Sequence, residues 1–319
     1  VQVPDRIVKA FGSIPWLFCR KFAPRTRFNL HSTVNSSFSP FTLRLNGRLV
    51  TFEKPVVMGI LNITTDSFYS GSRVEEQNIV ERAGQMLQQG ATFLDIGGQS
   101  SRPGATDIGE QKELQLVIPA IEAVHRAFPK AYISVDTWRG KVAASAVQAG
   151  ASIINDISAG TMDVSMWPAV SELQVPYVLM HMQGTPQSMQ VNPLYDDAVA
   201  EIIRWFSEKL AELRPHFAGD VIIDPGFGFG KRQQDNYELL AALDEFRQFE
   251  CPVLAGLSRK KMIQHACGVD ADEALAGTIA ANTIALMHGA SILRVHDVKE
   301  AADTVAVCME TRKAARSRF

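Results

Sequence analysis

The chain has 319 residues, enough for one large domain or two ordinary ones and close to the size of a single α/β barrel. Hydrophobic residues make up 46% and charged residues 21%, which excludes a wholly disordered chain, and a formal charge of −2 leaves no overall basic field for nucleic acid or an anionic membrane. No apolar run is long enough for a transmembrane helix, and Cys19, Cys251, Cys267 and Cys308 lie far apart without a C-x-x-C pair, so a soluble chain in the reducing cytoplasm is expected.

The first forty residues stand apart. Residues 1–40 carry six Lys or Arg against one acid, Asp5, with serine and threonine near the end and no lasting period. A basic, serine-bearing, acid-poor stretch is what a transit peptide or a disordered extension looks like, and a disordered extension is expected. Phe41–Val50 reads as a hairpin turning at Asn46-Gly47, and a folded domain is expected over 41–319.

From Pro55 the pattern alternates between short apolar runs and longer amphipathic ones. Strands are predicted at Val56–Ile63, Thr92–Ile96, Tyr132–Val135, Ser152–Ile157, Tyr177–Met180, Val221–Ile223, Val253–Leu257 and Ile292–Val295. Helices are predicted near Val74–Gln89, Glu110–Phe128, Lys141–Ala149, Val164–Leu173, Asp196–Leu213, Tyr237–Phe249, Ala271–His288 and Lys299–Ala314, with Gly90, Gly150 and Gly289 as stops. Eight strand–helix pairs imply an α/β fold of the TIM (β/α)8 barrel type with a short N-terminal hairpin. A doubly wound open sheet is the alternative, but no glycine-rich turn follows the first strand.

In such a barrel the site lies where strands end. Here the ends are polar on every strand: Asn62, Thr64 and Asp66; Asp95 through Ser101 into Arg102-Pro103-Gly104; Asp136; Asn155 and Asp156; His181; Asp224 into Pro225-Gly226-Phe227-Gly228-Phe229-Gly230-Lys231; Ser258, Arg259 and Lys260; Arg294 and His296. Single residues of this kind often only cap the next helix, and Asp156 suits that role; all eight ends together point to a ligand. His181 stays open between a structural and a functional role. His125, His216 and His288, in or beside helices, read as ordinary surface residues.

Asp136 and Asp224, with Asn155 between them, suit a flat ring rich in N–H groups, and Lys260 adds a cation there. Arg294 and His296 share one strand face, with Asn62 on the neighbouring strand. That combination suits an anionic group such as a phosphate, with Mg²⁺ as its usual companion. Phe227-Gly228-Phe229-Gly230 reads as an aromatic wall rather than a loose turn. Residue chemistry alone leads to a planar polar ring plus a phosphorylated group.

Met58-Gly59-Ile60-Leu61-Asn62-Ile63-Thr64-Thr65-Asp66-Ser67-Phe68 and Asp95-Ile96-Gly97-Gly98-Gln99-Ser100-Ser101-Arg102-Pro103-Gly104-Ala105 resemble the two diagnostic segments of dihydropteroate synthases. Further similar segments follow in the same order: Ser134–Thr137, Asn155–Ile157, Leu179–Gly184, Asp224–Lys231, Gly256–Lys260 and Arg294–Asp297. The resemblance implies a TIM barrel that joins 6-hydroxymethyl-7,8-dihydropterin diphosphate to p-aminobenzoate, giving 7,8-dihydropteroate and pyrophosphate in folate biosynthesis. It implies that Asp136, Asn155, Met180, Asp224, Phe229 and Lys260 bind the pterin. Asn62, Arg294 and His296 would bind the diphosphate, with Mg²⁺ on Asn62. Ser101, Arg102 and Pro103, with Phe229, would meet p-aminobenzoate.

The implied mechanism is dissociative, with catalytic roles for Asp66, Lys260, Arg294 and His296. Sulfonamides are implied as competing ligands, and a homodimer is implied through late helices such as Ala271–His288. The chain departs from the usual pattern at Thr65 for proline, at Tyr69-Ser70-Gly71-Ser72, at Gln99 for glutamate and at Ser101 for threonine. Two rival readings are a methyltetrahydrofolate–corrinoid type of pterin barrel and a pterin-binding chain without turnover.

Overall fold

The computed structural model describes residues 38–63, 73–100 and 104–316. The expected extension therefore lies, up to residue 37, outside the described residues, as do Thr64–Ser72, Ser101–Pro103 and the last three residues.

The chain enters through a hairpin of β1 (Phe41–Leu45) and β2 (Arg48–Phe52). Asn46 at φ 49° and Gly47 at φ 75° make the two-residue turn, both in the left-handed region that a tight hairpin needs. Pairing runs from Leu45↔Arg48 out to Phe41↔Phe52, so β2 reaches two residues past the predicted end. Phe41, Leu43 and Leu45 alternate inward, and Phe38 packs edge-on against Phe41 with centroids 6.2 Å apart.

Among the described residues, eight parallel strands follow: β3 (Val56–Asn62), β4 (Phe93–Gly97), β5 (Tyr132–Asp136), β6 (Ile153–Asp156), β7 (Tyr177–Met180), β8 (Val221–Asp224), β9 (Leu254–Ala255) and β10 (Ile292–Val295). They pair in the order β8-β7-β6-β5-β4-β3-β10-β9, and a bridge from Ile223 to Val253 closes the ring. The helices are α1 (Arg73–Gln88), α2 (Glu110–Ala127), α3 (Gly140–Gln148), α4 (Met166–Leu173), α5 (Ala198–Leu213), α6 (Gln233–Ala241), α7 (Lys261–Cys267), α8 (Leu275–Met287) and α9 (Val298–Arg316). This is the TIM barrel expected. None of the described helices is long and apolar enough to cross a membrane.

Three helical expectations are corrected. The segment predicted over Tyr237–Phe249 begins earlier and breaks into α6 and a 3₁₀ turn at Leu243–Phe249. Its early start follows from Asp235, whose carboxylate takes the Arg232 N–H at 2.6 Å and organises the first turn. Ala271–His288 likewise divides into a 3₁₀ turn at Ala271–Glu273 and α8. The seven-residue α7 was missed because it is too short to display a period before Gly268 (φ 67°) ends it.

Strand parity sorts the core into two layers. Leu61, Ile96, Ile133, Val135, Ile154, Leu179, Ile223 and Leu293 face outward and pack with the helices. Met58, Phe93, Ile153, Val178, Ile222, Leu254 and Ile292 join Phe41, Leu43 and Leu45 in a second core. The hairpin thus covers one end of the barrel interior with apolar side chains. The same inward parity continued toward the other end of the strands turns polar, and that is where the site forms.

Candidate active site

Pairing aligns Asn62, Gly97, Asp136 and Asn155 in one row across β3, β4, β5 and β6. Gly97 is a glycine for reasons of room: a Cβ there would stand 3.0 Å from the Cβ of Asp136. Asp136, Asn155 and Asp224 are all buried, and Met180 lies opposite Asp224 in the β7–β8 register.

The centre of the site is a charged network. Arg294 donates from Nε to Asp95 Oδ2 at 2.6 Å and from Nη2 to Asp136 Oδ2 at 2.5 Å. Asn155 Nδ2 donates to the same Asp95 oxygen at 3.0 Å. Asp95 is fully buried and its Oδ1 has no hydrogen-bond partner among the described residues. Burial works against the charge of Arg294, but the carboxylates of Asp95 and Asp136 outweigh it and hold the guanidinium protonated. Burial pushes Asp136 up to about 7, opposed by Arg294 and reinforced by Asp95. Asp224 is also raised by burial, with Lys260 pulling the other way, and its Oδ1 accepts the Gly226 N–H at 2.7 Å.

Beside these polar groups, with Met180 opposite Asp224 in register, lies an apolar cluster of Trp138, Ile157 and Met180, joined by Met162, Met182 and Phe229. The Lys260 ammonium sits 4.7 Å from the centre of the Phe229 ring and donates to the Phe227 carbonyl. Burial lowers its pKa to about 8, with Asp224 opposing the shift. Phe229 therefore forms a wall as expected, whereas Phe227 is wholly buried core.

His296 is exposed and its Nδ1 lies 3.0 Å from Ser258 Oγ. Asn62 is exposed at the end of β3. Arg294, of the expected anion-binding trio, is paired with the ring-side acids Asp95 and Asp136. Asp66, Ser101, Arg102 and Pro103 lie outside the described residues. No three His, Cys, Asp or Glu side chains gather as a metal cage among the described residues. An Mg²⁺ would fit as a diphosphate companion taking one oxygen from Asn62, since this ion keeps most of its shell as water and phosphate.

Other residues prove structural. Asp156 faces away from the interior and gathers the Ser158 N–H at 2.8 Å, the Gly160 N–H at 2.7 Å and the Tyr177 hydroxyl at 2.7 Å. His181 is buried and packs edge-on against Trp205 at 4.9 Å; burial holds its pKa well below the usual value, so the ring is neutral. His125 is half-buried rather than superficial, because Gly150 packs directly on its ring.

Sequence reasoning gave Asp95 no role, although its parity with Phe93 and Gly97 marks it as inward. It also missed Trp138, Ile157, Met162 and Met182. Apolar residues in loops carry no local pattern that distinguishes a pocket floor from ordinary core.

The model of the family described as "Pterin binding enzyme" matches residues 58–296. The dihydropteroate synthase of Escherichia coli K12 is 44% identical over 273 residues, covering 84% of this chain and 95% of that one. Among solved structures, the Yersinia pestis dihydropteroate synthase in complex with a sulfonamide drug aligns with TM-score 0.80 at 40% identity, over 86% of this chain and 100% of that one. The Xanthomonas albilineans enzyme in complex with 7,8-dihydropteroate aligns with TM-score 0.75 at 38% identity, over 85% and 99% of the two chains.

Proposed function

The chain belongs to the dihydropteroate synthases of the pterin-binding family, which act in folate synthesis, and from that premise we propose a specific reaction for it. It joins 6-hydroxymethyl-7,8-dihydropterin diphosphate to the amine of p-aminobenzoate and releases pyrophosphate. The observation that carries this reading is the pairing of three buried polar groups, Asp136, Asn155 and Asp224, with an apolar floor at Met180 and Phe229. A flat ring with N–H groups on its edge satisfies both surfaces at once.

In this reading Asp136 and Asp224 accept the ring N–H groups, Asn155 adds an amide contact, and Lys260 donates to a ring acceptor while Phe229 flanks the ring. Asn62, Arg294 and His296 hold the diphosphate. The C–O bond at the pterin methylene breaks first, its electron pair leaving with the pyrophosphate. The ring delocalises the cation, and the p-aminobenzoate nitrogen attacks it and then loses a proton. Arg294 and His296 favour the first step because charge builds on the leaving group they face. Mg²⁺, when bound at Asn62, supplies further charge neutralisation on the diphosphate.

Asp66 stabilises the cation, and Ser101, Arg102 and Pro103, with Phe229, meet p-aminobenzoate; sulfonamides compete for that place, which the Yersinia pestis complex with a sulfonamide drug supports by analogy. A homodimer would use α8, where Ile284 is exposed.

The test is pyrophosphate release from the protein given the pterin diphosphate, Mg²⁺ and p-aminobenzoate. Release that requires p-aminobenzoate and disappears in Asp224→Ala is expected. Pterin binding without release would overturn the synthase reaction in favour of a binding role.

A further inference from the structure

The loop after β8 has a feature that the pocket reading does not use. Gly226, Gly228 and Gly230 take φ of 71°, 81° and 61°, so the glycine–phenylalanine alternation folds into a tight arch. A Cβ on Gly226 would stand 2.0 Å from the His181 carbonyl oxygen, and one on Gly230 would stand 2.3 Å from that of Gln183. Each of the five arch carbonyls is taken by a side chain. Lys231 Nζ donates to Gly226 O at 2.9 Å and Phe229 O at 3.0 Å, Gln190 Nε2 to Gly228 O at 2.9 Å, and the Tyr195 hydroxyl to Gly230 O at 2.8 Å. Lys260 takes the remaining one, Phe227 O.

Lys231 is the centre of this clasp. It is buried, and beyond the two arch carbonyls it meets His181 Nδ1 at 2.9 Å and His181 O at 3.3 Å. Burial pushes the Lys231 amine well below its ordinary range, with Asp224 opposing the shift, and its hydrogens are shared among these neighbouring groups. A buried amine of this kind is tolerated only where its hydrogens are used, and here they span the two ends of the arch.

We propose that Lys231 is a positioning residue for the ring-binding step: by holding Gly226 and Phe229 together it sets the Phe229 wall under the Lys260 ammonium. This rests on the ring pocket proposed above. Lys231 itself bonds to the arch and to His181, and Phe229 is placed against both substrates, so loss of Lys231 acts on the pterin and on p-aminobenzoate through that ring.

The experiment compares Lys231→Met and Tyr195→Phe with the unaltered chain, measuring KM for both substrates, kcat and the melting temperature. The unaltered chain must first turn over; if it does not, the pocket reading fails and not this inference alone. For Lys231→Met, KM for the pterin diphosphate is expected to rise about tenfold or more, as loss of several buried hydrogen bonds implies, with a rise in KM for p-aminobenzoate as well, since Phe229 meets both. Tyr195→Phe keeps the ring and removes one neutral bond, so a rise of about threefold in the same constant is expected. A merely structural role would lower the melting temperature and the active fraction with both KM values unchanged. An unchanged KM for the pterin diphosphate overturns the proposal. Should Lys231→Met not fold, Tyr195→Phe decides by the same criterion.

Discussion

Arg294 on β10 and Asp136 on β5 are joined across the polar end of the barrel by a 2.5 Å bond from Nη2 to Oδ2, although β3 and β4 stand between their strands. The bond ties the group proposed for the diphosphate to a group proposed for the ring. Whatever binds at one therefore changes the partner available to the other.

Replacing Arg294 by Met leaves Asp95 and Asp136 buried without their shared cation. A loss of about 3–5 kcal/mol in urea denaturation is expected, as for other broken buried pairs. The kcat is expected to fall about a hundredfold, the size of one lost transition-state donor. Stability within 1 kcal/mol or so of the unaltered chain would show that the network carries little weight.

Asp136 titrates near 7 in the folded chain against an ordinary value of 3.8, burial being the main cause. A folded-state pKa raised in this way contributes stability that is complete below the unfolded value and is lost as pH rises through the folded one. The stability of the unaltered chain relative to Asp136→Asn should therefore decline between pH 4 and 8, at no more than ~1.4 kcal/mol per unit. Denaturation midpoints that keep a constant separation over that range contradict it.

Lys260 is lowered to about 8, chiefly by burial. Its charge is needed in the ring pocket, so kcat/KM for the pterin diphosphate should fall as pH rises through that value, since this ratio reports the free enzyme. Lys260→Arg stays charged at every accessible pH and should have lower activity without this alkaline limb. An unaltered limb in the variant would assign it to another group.

Gln99 departs from the glutamate that the family resemblance implies at this position. Its Nε2 donates to Ser100 O and Thr106 O, both at 3.0 Å, while its Oε1 accepts the Ile108 N–H at 2.9 Å. A carboxylate has no hydrogen for the two carbonyls. Gln99→Glu is thus expected to lower stability by about 1–3 kcal/mol at neutral pH, the cost of unsatisfied polar groups. Thermal melting across pH 5 to 8 checks it, and a variant as stable as the parent throughout counts against this anchoring role.

Leu43 is wholly buried where the hairpin covers the barrel interior. Leu43→Ala should cost about 2–5 kcal/mol, with KM and kcat unchanged at a temperature where the variant is folded. Altered KM values would mean that the covered end of the barrel and the site are coupled.

The sequence alone determined the barrel, because strands buried on both faces and helices buried on one must read differently: each β-run from Val56 to Val295 was placed within about two residues. Strand position alone also put Asp136, Asn155, Asp224 and Arg294 at the polar ends of their strands, while leaving Asp95 without a role. What it could not contain is the partner each one takes. Arg294 was legible as a cation for an anion, yet only closure of the ring set it between Asp95 and Asp136, 199 and 158 residues away. The same holds for Lys231, whose acceptors lie on its own arch and on His181, 50 residues earlier. Period and propensity are local properties of the chain, whereas a buried charge is satisfied by whichever groups the fold brings within 3 Å or so, and that selection is made by tertiary packing.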